Sequence, residues 1–357
     1  MSKIHVAILF GGKSVEHEIS INSAKNINEY IDRNRYDVTL LGISRDGAWF
    51  LKETVDLDIE QGEPVVLQLS ENKKGFAQKD GTIIPVDIVF PVLHGTDGED
   101  GSIQGLLTSI ELPFVGTGVL GSAMSMSKLY TKRLLEASNI PVSKFLSYTY
   151  EDRQSIVFED IKARLGLPFM IKAANLGSSV GVHKITGEEG FSEILEEVFS
   201  FDNTILFEEF VEGRELECSV MGNRDVQASL PAEIEVSQEY EFYTYEAKYL
   251  DPNAAKLIIP ADVPEHISDQ IRKHSIKTYK TLHCEDFARV DLFLKEDGTI
   301  LINEINTIPG FTNSSMFPMM WKERGISFTE LISRLITMAM ERHEAMKRIS
   351  KSRGSGV

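Results

Sequence analysis

Four polar residues in the C-terminal third of the chain have the types and spacing of a divalent-cation site. Arg289 and Asp291 lie in one run of alternating apolar residues, Glu304 and Asn306 lie in the next, and Asp297-Gly298 between them predicts a hairpin turn. With that turn, or with a four-residue loop about the same centre, Asp291 faces Glu304 and Arg289 faces Asn306. Because strand side chains alternate between faces, all four share one face.

Two facing carboxylates repel each other, and a cation between them removes the repulsion. Asp, Glu and Asn supply hard oxygen ligands of the kind that Mg²⁺ uses when it also binds substrate phosphates. The alternative is a solvated polar face on which Arg289 neutralises one acid. Residues 307–312 (TIPGFT) lead directly out of this face, where the Gly310 amide could donate to an oxyanion. This continuation favours the catalytic interpretation.

A second set of residues has the composition of a nucleotide site. Residues 175–181 (NLGSSVG) are rich in glycine and hydroxyl groups, and Lys128 and Lys172 supply positive charges for phosphates. The loop lacks the Walker A pattern, and an ordinary hairpin turn is its alternative reading. Residues 207–215 (FEEFVEGRE) place acids at a strand end, where one carboxylate could bind ribose hydroxyls; an acidic surface loop is the alternative.

Two glycine-rich motifs follow predicted strands nearer the N-terminus. Residues 11–20 (GGKSVEHEIS) end a strand and open a helix, so their amides could hold a carboxylate while Glu16 pairs with an ammonium group. In residues 94–105 (HGTDGEDGSIQG), the acids are predicted to cap a helix that begins near Ser102. His94 stands at a strand end and is a candidate ligand contact, with simple packing as the alternative.

Composition excludes several classes of protein. The 357 residues include 37 Lys+Arg and 54 Asp+Glu, and the net charge of −17 argues against a general nucleic-acid or anionic-membrane binder. Cys218 and Cys284 are too few for a disulfide scaffold and fit a reducing compartment. The apolar run at residues 4–10 is too short to span a membrane or to act as a secretion signal. We therefore predict a cytoplasmic protein.

Three groups of elements must position these residues. Strand–helix alternation up to about residue 120 indicates a parallel α/β domain, whose ligands bind at the carboxyl ends of strands. A small antiparallel α+β unit follows, with a helix at 127–138 and strands at 167–173, 182–185, 204–210 and 216–221. The remainder contains a tyrosine-rich loop at 237–259, a helix at 265–282, the hairpin and a helix at 328–346. The predicted domains are residues 1–123, 124–222 and 223–357.

The motifs, in this order, resemble the D-alanine–D-alanine ligase family of the ATP-grasp superfamily over essentially the whole chain. The segments that carry the resemblance are GGKSVEHEIS, VLHGTDGEDGSIQG, SMSK, MIKAANLGSSVGV, FEEFVEGRE, YEAKYL, ARVDLF and INEINTIPGFTNSS. The resemblance implies an ATP-grasp fold of α/β and α+β domains and ATP-dependent ligation of two D-alanines for peptidoglycan synthesis. It also implies a homodimer and two Mg²⁺ or Mn²⁺ ions.

The resemblance further implies roles for single residues. Asp291, Glu304 and Asn306 match the metal ligands. The positions that match ATP-binding residues are Lys128, Lys172, Ser178 and Ser179 for the phosphates, Glu208, Glu209 and Val211 for the adenine, and Glu215 for the ribose. The positions that match substrate-binding or catalytic residues are Glu16, His94, Ser178, Lys248, Tyr249, Arg289, Gly310 and Ser315.

The implied reaction has two steps. The γ-phosphoryl group of ATP passes to the carboxylate of the first D-alanine. Glu16 holds the ammonium group of this D-alanine. The amine of the second D-alanine then attacks, and Arg289 and Gly310 stabilise the oxyanion while Ser315 receives the second carboxylate. Residues 237–259 are the predicted lid that excludes water. Tyr249 favours dipeptide synthesis, and we expect Tyr249→Phe to raise the use of D-lactate.

Other functions have distinguishable requirements. A D-alanine–D-lactate ligase or another ATP-grasp carboxylate–amine ligase would keep the hairpin. An ATP-grasp carboxylase or a different amino-acid ligase would keep the hairpin and the phosphate loop, but not Glu16 with Ser178 and Tyr249, which match a hydroxyl pair hydrogen-bonded to that acid in the family. A nucleotide sensor without activity would not need paired acids opposite Arg289. A Rossmann dehydrogenase is disfavoured because Gly11-Gly12 lacks the G-x-G-x-x-G pattern.

Overall fold

The computed structural model describes residues 2–70, 73–177, 180–236 and 255–348, which form three β-sheets with helices packed against them. The first sheet has the order β5-β4-β3-β2-β1-β6. Its strands are β1 (Ile4–Gly11), β2 (Tyr36–Ile43), β3 (Trp49–Lys52), β4 (Glu63–Ser70), β5 (Lys73–Gln78) and β6 (Ile88–Pro91).

The first sheet is parallel only at its centre. β1 pairs in parallel with β2 and β6, as the strand–helix alternation predicts. β3, β4 and β5 extend the sheet in antiparallel pairing, which that alternation does not predict. The short links between these strands leave no room for a crossover, so they pair as antiparallel neighbours. Val6 to Phe10 are fully buried, as expected of a central strand covered on both faces.

Four helices follow strands of the first sheet, and the last three of them lead to the second sheet. They are α1 (His17–Tyr30), α2 (Ser102–Ser109), α3 (Val119–Met126) and α4 (Lys128–Ala137). The turn from β1 into α1 requires glycine, because Gly11 has a φ of +91° and a Cβ there would lie 2.2 Å from the carbonyl oxygen of Ile43. This turn directs the start of α1 to the carboxyl edge of the sheet.

The second sheet is antiparallel and has the order β7-β10-β8-β9. Its strands are β7 (Phe145–Thr149), β8 (Phe169–Ala173), β9 (Val182–Ile185) and β10 (Thr204–Glu209), and its helices are α5 (Phe158–Leu165) and α6 (Phe191–Phe201). Phe158, Phe169, Phe191 and Phe207 pack edge-to-face or tilted in one aromatic core.

The third sheet has the order β14-β13-β11-β15-β16, with β12 paired to β11. Its strands are β11 (Arg214–Met221), β12 (Gln227–Ala228), β13 (Ala232–Val236), β14 (Ala255–Ile258), β15 (Phe287–Leu294) and β16 (Ile300–Asn306). Residues 216–221, which are predicted to belong with the strands of the central unit, lie instead in the third sheet, because β11 pairs with β15 along its whole length. The end of the predicted lid loop is also corrected, since residues 255–258 form β14; residues 237–254 lie outside the described part of the chain.

The last helices join the C-terminal region to the first sheet. α7 (Glu265–Thr281) packs against β11 and β15, while α8 (Met316–Glu323) and α9 (Phe328–Lys347) contribute to the core behind β1. Trp321, Leu331 and Leu335 are fully buried in that core with Phe10 and Phe90. None of the helices in the described ranges has both the length and the apolar character of a membrane span.

Candidate active site

The predicted hairpin is formed by β15 and β16, and its register at the polar face is confirmed. Asp291 pairs with Glu304 and Arg289 with Asn306. The prediction of the turn is wrong, because residues 295–299 connect the strands and the pairing beyond Asp291 is shifted by one residue. An extra residue on β16, Asn303, forms a β-bulge that restores the predicted pairs.

The polar face of the hairpin is a hydrogen-bonded cluster. Arg289 donates from Nε and Nη2 to the two carboxylate oxygens of Asp291, each at 2.7 Å, and its Nε lies 3.0 Å from Oε2 of Glu217. Asn306 donates from Nδ2 to Oδ2 of Asp291 at 2.9 Å. Val290 and Ile305 lie on the opposite, buried face. The predicted shared face is therefore confirmed, and the guanidinium is fixed by a bidentate contact.

The donor set of this face fits a divalent cation that is shared with phosphates. Asp291, Glu304 and Asn306 supply oxygen ligands from adjacent strands, and Glu304 lies 3.5 Å from the ammonium group of Lys128. Within the described ranges, no group of three His, Cys, Asp or Glu side chains is arranged to hold a metal. The protein would thus fill part of a coordination sphere, which is how Mg²⁺ binds with nucleotide phosphates and water.

A cleft of about 420 Å³ lies between the second and third sheets. Its volume is in the range of ligand pockets. The predicted nucleotide and metal residues that line it are Lys128, Lys172, Glu208, Glu209, Val211, Glu215, Asp291 and Glu304. The structure therefore brings together every predicted ATP-binding residue that it describes. Ser178, Ser179, Lys248 and Tyr249 lie outside the described residues.

A buried charge cluster forms one wall of the cleft. Oε2 of Glu208 lies 3.2 Å from the ammonium groups of both Lys132 and Lys172, and accepts from the hydroxyl of Ser143 at 3.2 Å. Burial alone would raise the pKa of Glu208, but the two lysines reverse this effect and lower it to about 2. Burial lowers the pKa of Lys132, which is 1% exposed.

Two features of this cluster bear on ligand binding. Oε1 of Glu208 is buried and has no hydrogen-bond partner among the residues the structure describes, so it can accept from a donor on a bound nucleobase. Lys132 is a functional candidate that the sequence analysis missed. The sequence feature that could have identified it is its position four residues after Lys128 on α4. Side chains four residues apart lie on the same face of a helix, so both lysines point to the same side of the cleft.

Glu16 lies where the first domain meets the phosphate loop. It is 8% exposed and directly precedes α1. A Cβ on Gly95 would lie 2.5 Å from its Oε2, and a Cβ on Gly177 would lie 3.7 Å from the same atom. Residue 177 precedes the predicted Ser178 partner of Glu16, so the carboxylate and this loop are neighbours.

His94 is buried, but its ring is already engaged by the protein. Nδ1 lies 2.8 Å from the carbonyl oxygen of Ile308 and Nε2 lies 2.9 Å from the hydroxyl of Ser23. Burial lowers the pKa of the imidazole. A direct hydrogen bond from His94 to a substrate would therefore have to replace one of these contacts.

The loop after His94 contains a second acid that the sequence analysis missed. Asp100 caps α2 as predicted, accepting from the amide of Ser102 at 2.9 Å. Glu99 instead accepts from the amides of Gly95 and Ile308 at 2.8 and 2.9 Å. Desolvation and the neighbouring Glu16 raise the pKa of Glu99 to about 8.

The predicted oxyanion and carboxylate positions lie close together. Ser315 precedes α8 and its hydroxyl accepts from the amide of Thr312 at 3.0 Å. A Cβ on Gly310 would lie 3.2 Å from that hydroxyl oxygen. The Ser315 hydroxyl and Gly310 are therefore neighbours at the start of α8, as the predicted binding of a carboxylate beside an oxyanion requires.

The fold and site define a class of enzyme. A lysine-lined cleft between an antiparallel sheet and a hairpin sheet, with paired acids at its end, is the arrangement of an ATP-grasp ligase. Family models described as the D-ala D-ala ligase N-terminus and C-terminus match residues 5–117 and 134–337. The chain belongs to the D-alanine–D-alanine ligase family.

Full-length relatives agree with this assignment. The chain is 47% identical to D-alanine–D-alanine ligase of Shouchella clausii (99% of each chain) and 44% identical to D-alanine–D-alanine ligase A of Escherichia coli strain K12 (97% of this chain, 98% of the relative). Among solved structures, the D-alanine–D-alanine ligase from Coxiella burnetii is 35% identical, with a TM-score of 0.85 over 97% of this chain and 98% of that one. The VanG D-Ala:D-Ser ligase from Enterococcus faecalis is 34% identical, with a TM-score of 0.86 over 95% and 100%.

Proposed function

We propose that this protein ligates two D-alanines to D-alanyl-D-alanine, with ATP converted to ADP and phosphate through a D-alanyl phosphate intermediate, for peptidoglycan synthesis. The observation that carries the proposal is the hairpin face. It places Asp291 opposite Glu304 beside a fixed guanidinium, at the end of a cleft lined by Lys128 and Lys172. These are the groups that phosphoryl transfer to a carboxylate requires.

Each group has a separate task in this reaction. Lys128 and Lys172 neutralise the phosphates, and Oε1 of Glu208 accepts from the nucleobase. Asp291, Glu304 and Asn306 hold the divalent ions, which neutralise phosphate charge when bound. Arg289 and the Gly310 amide stabilise the tetrahedral oxyanion as the second amine attacks.

The remaining assignments complete the proposal. Glu16 holds the ammonium group of the first D-alanine, assisted by the Ser178 and Tyr249 hydroxyls. Ser315 receives the carboxylate of the second D-alanine, and Lys248 binds substrate. Residues 237–254, for which the sequence predicts a lid, lie outside the described part of the chain. Two Mg²⁺ or Mn²⁺ ions and a homodimer are proposed from the family resemblance, and a cytoplasmic location from composition. Of the domain limits predicted from the sequence pattern, residues 1–123 are proposed unchanged, and the boundary predicted at 222 is moved to precede β11, because that strand belongs to the third sheet.

Purified protein with ATP, Mg²⁺ and D-alanine tests the function. We expect one phosphate released for each dipeptide, measured by a phosphate assay and mass spectrometry, and no release above background with L-alanine. D-Lactate and D-serine offered with D-alanine determine the second substrate. Phosphate release that does not depend on D-alanine would contradict the proposal.

Substitutions on the hairpin test the site itself. Asp291→Asn and Glu304→Gln each remove one ligand charge, and we expect kcat to fall by at least about 100-fold. Asp297→Asn is the matched control, because this fully exposed acid lies at the other end of the same hairpin. Full activity in both Asp291→Asn and Glu304→Gln would exclude the metal face.

A further inference from the structure

Residues 308–311, which contain Gly310, are held at both ends by side chains from the first domain. Three residues make these contacts, and we refer to Ser23, His94 and Glu99 as the loop clamp. At one end, the carbonyl and the amide of Ile308 bind His94 and Glu99. At the other end, the amide of Phe311 donates to the hydroxyl of Ser23 at 3.2 Å.

The contacts of His94 determine which nitrogen carries the proton. A carbonyl oxygen can only accept, so Nδ1 donates to Ile308 and the neutral ring leaves Nε2 as an acceptor. The hydroxyl of Ser23 therefore donates to Nε2. Burial lowers the pKa of His94, which keeps this neutral form dominant at neutral pH.

Ser23 is the link between the two ends of the clamp. Its hydroxyl is fully buried, donates to His94 and accepts from Phe311, so both capacities are used within the protein. The chain of hydrogen bonds runs from Phe311 through Ser23 and His94 back to Ile308. The backbone of residues 308–311 closes this chain of hydrogen bonds into a ring. The amide N–H of Gly310 makes none of the hydrogen bonds of the ring.

The clamp also connects Gly310 with the first-substrate position. Ser23 lies on α1, the helix that Glu16 precedes, and Glu99 lies close enough to Glu16 for the two charges to interact. Ile308 and Glu99 are separated by 209 residues in the chain, so nothing local in the sequence places residues 308–311 relative to Glu16. The clamp supplies that placement.

We infer that Ser23 and His94 are positioning residues that fix the Gly310 amide for oxyanion stabilisation, rather than residues that touch a substrate. This inference rests on the proposed function, because Gly310 has the role of oxyanion donor there. A displaced amide slows attack of the second amine on D-alanyl phosphate. The longer-lived intermediate then reacts with water, giving D-alanine and phosphate without dipeptide.

Ser23→Ala and His94→Asn test the inference by kinetics. His94→Asn keeps an N–H near the Nδ1 position and loses the acceptor for Ser23. We expect each variant to lower kcat by about 10-fold or more, since small misplacement of a reacting group is costly. We expect the KM for D-alanine to stay within about 2-fold and the ratio of phosphate to dipeptide to rise above one. The double variant is expected to be no worse than either single variant.

Two kinetic outcomes would overturn the inference. A rise in the KM for D-alanine in His94→Asn but not in Ser23→Ala would mean that His94 touches substrate, and would overturn the inference. Unchanged kcat in Ser23→Ala would also overturn it. Ser275→Ala is the control, because Ser275 is another fully buried serine that donates to a carbonyl, that of Ile271, on α7 behind the third sheet.

Amide hydrogen exchange gives a reading that does not depend on activity. We expect exchange in a peptide covering residues 308–311 to be at least about 10-fold faster in Ser23→Ala than in wild type, and unchanged in Ser275→Ala. If wild type forms no dipeptide, the proposed function fails while this exchange still decides whether the clamp exists. Equal exchange in Ser23→Ala and wild type would overturn the inference even in an active enzyme.

Discussion

Glu208 and Glu99 are desolvated carboxyl groups at two ends of the same site, and they have opposite charge states. The pKa of Glu208 is lowered to about 2, whereas the pKa of Glu99 is raised to about 8. Burial acts in the same direction on both, so it does not explain the difference. Glu208 lies between Lys132 and Lys172, and Glu99 lies beside Glu16.

Burial raises the pKa of both acids; at Glu208 the two lysines reverse this effect, whereas at Glu99 the neighbouring Glu16 adds to it. At neutral pH, Glu208 is an anion that balances the ammonium groups of Lys132 and Lys172. Glu99 is mostly protonated and serves as a neutral acceptor for two backbone amides. One end of the site is therefore organised by charge and the other by hydrogen bonds.

The largest expected effect separates the two acids by stability. Glu208→Gln removes the charge that balances the buried Lys132, and we expect it to lower the free energy of unfolding by about 3–5 kcal/mol at pH 7. Urea denaturation of the purified variant measures this change. The matched control is Glu159→Gln, because Glu159 pairs with Lys162 at an exposed position and should change stability by less than about 0.5 kcal/mol. Equal effects in both variants would show that the Glu208 charge is not structural.

A smaller effect is expected at the other end. Glu99→Gln replaces a largely neutral side chain, so little charge is lost. Its amide has one acceptor oxygen for the two backbone N–H groups of Gly95 and Ile308, and one of these would lose its partner. We expect a loss of about 1–3 kcal/mol in the same urea experiment. A loss as large as that of Glu208→Gln would mean that Glu99 is charged, and the comparison would break.

The hairpin formed by β15 and β16 shows how much of the site can be predicted from the sequence. Period-two alternation predicted that Asp291, Glu304 and their neighbours share a face, because the pleat of a strand determines side-chain direction. The bulge at Asn303 was not predictable, since an extra strand residue has no local signal in this pattern. The predicted turn is therefore wrong, whereas the predicted register at the site is confirmed.

Contacts between residues on elements far apart in the chain are what the sequence fails to predict. In the sequence, Lys132 is an ordinary helical lysine, and only the fold brings Glu208 of β10 into contact with it. Glu99 has the position of a helix-capping acid, and only the fold brings the amide of Ile308 to it. The assignment of β11 to the third sheet has the same origin, because a strand pattern does not specify its neighbour. Family resemblance predicts ligand-binding positions, but not the residues that hold them in place.

A third expected difference is in pH dependence, and its sign is opposite for the two acids. A carboxyl group whose folded-state pKa is lowered stabilises the fold above its unfolded value and loses that contribution as the pH falls through the folded value. For Glu208 this window runs from about 4.5 down to about 2. The stability difference between wild type and Glu208→Gln should therefore shrink on acidification.

Glu99 follows the reverse course. Its folded-state pKa is raised, so its stabilising contribution is complete below about 4.5 and is lost as the pH rises through about 8. The difference between wild type and Glu99→Gln should thus shrink as the pH rises across this window, by at most about 1.4 kcal/mol per pH unit, since one proton is involved. Urea midpoints of wild type and both variants across a pH series measure the two trends. If both differences changed in the same direction with pH, the opposite charge states of the two acids would be contradicted, because a lowered pKa and a raised pKa give stability slopes of opposite sign.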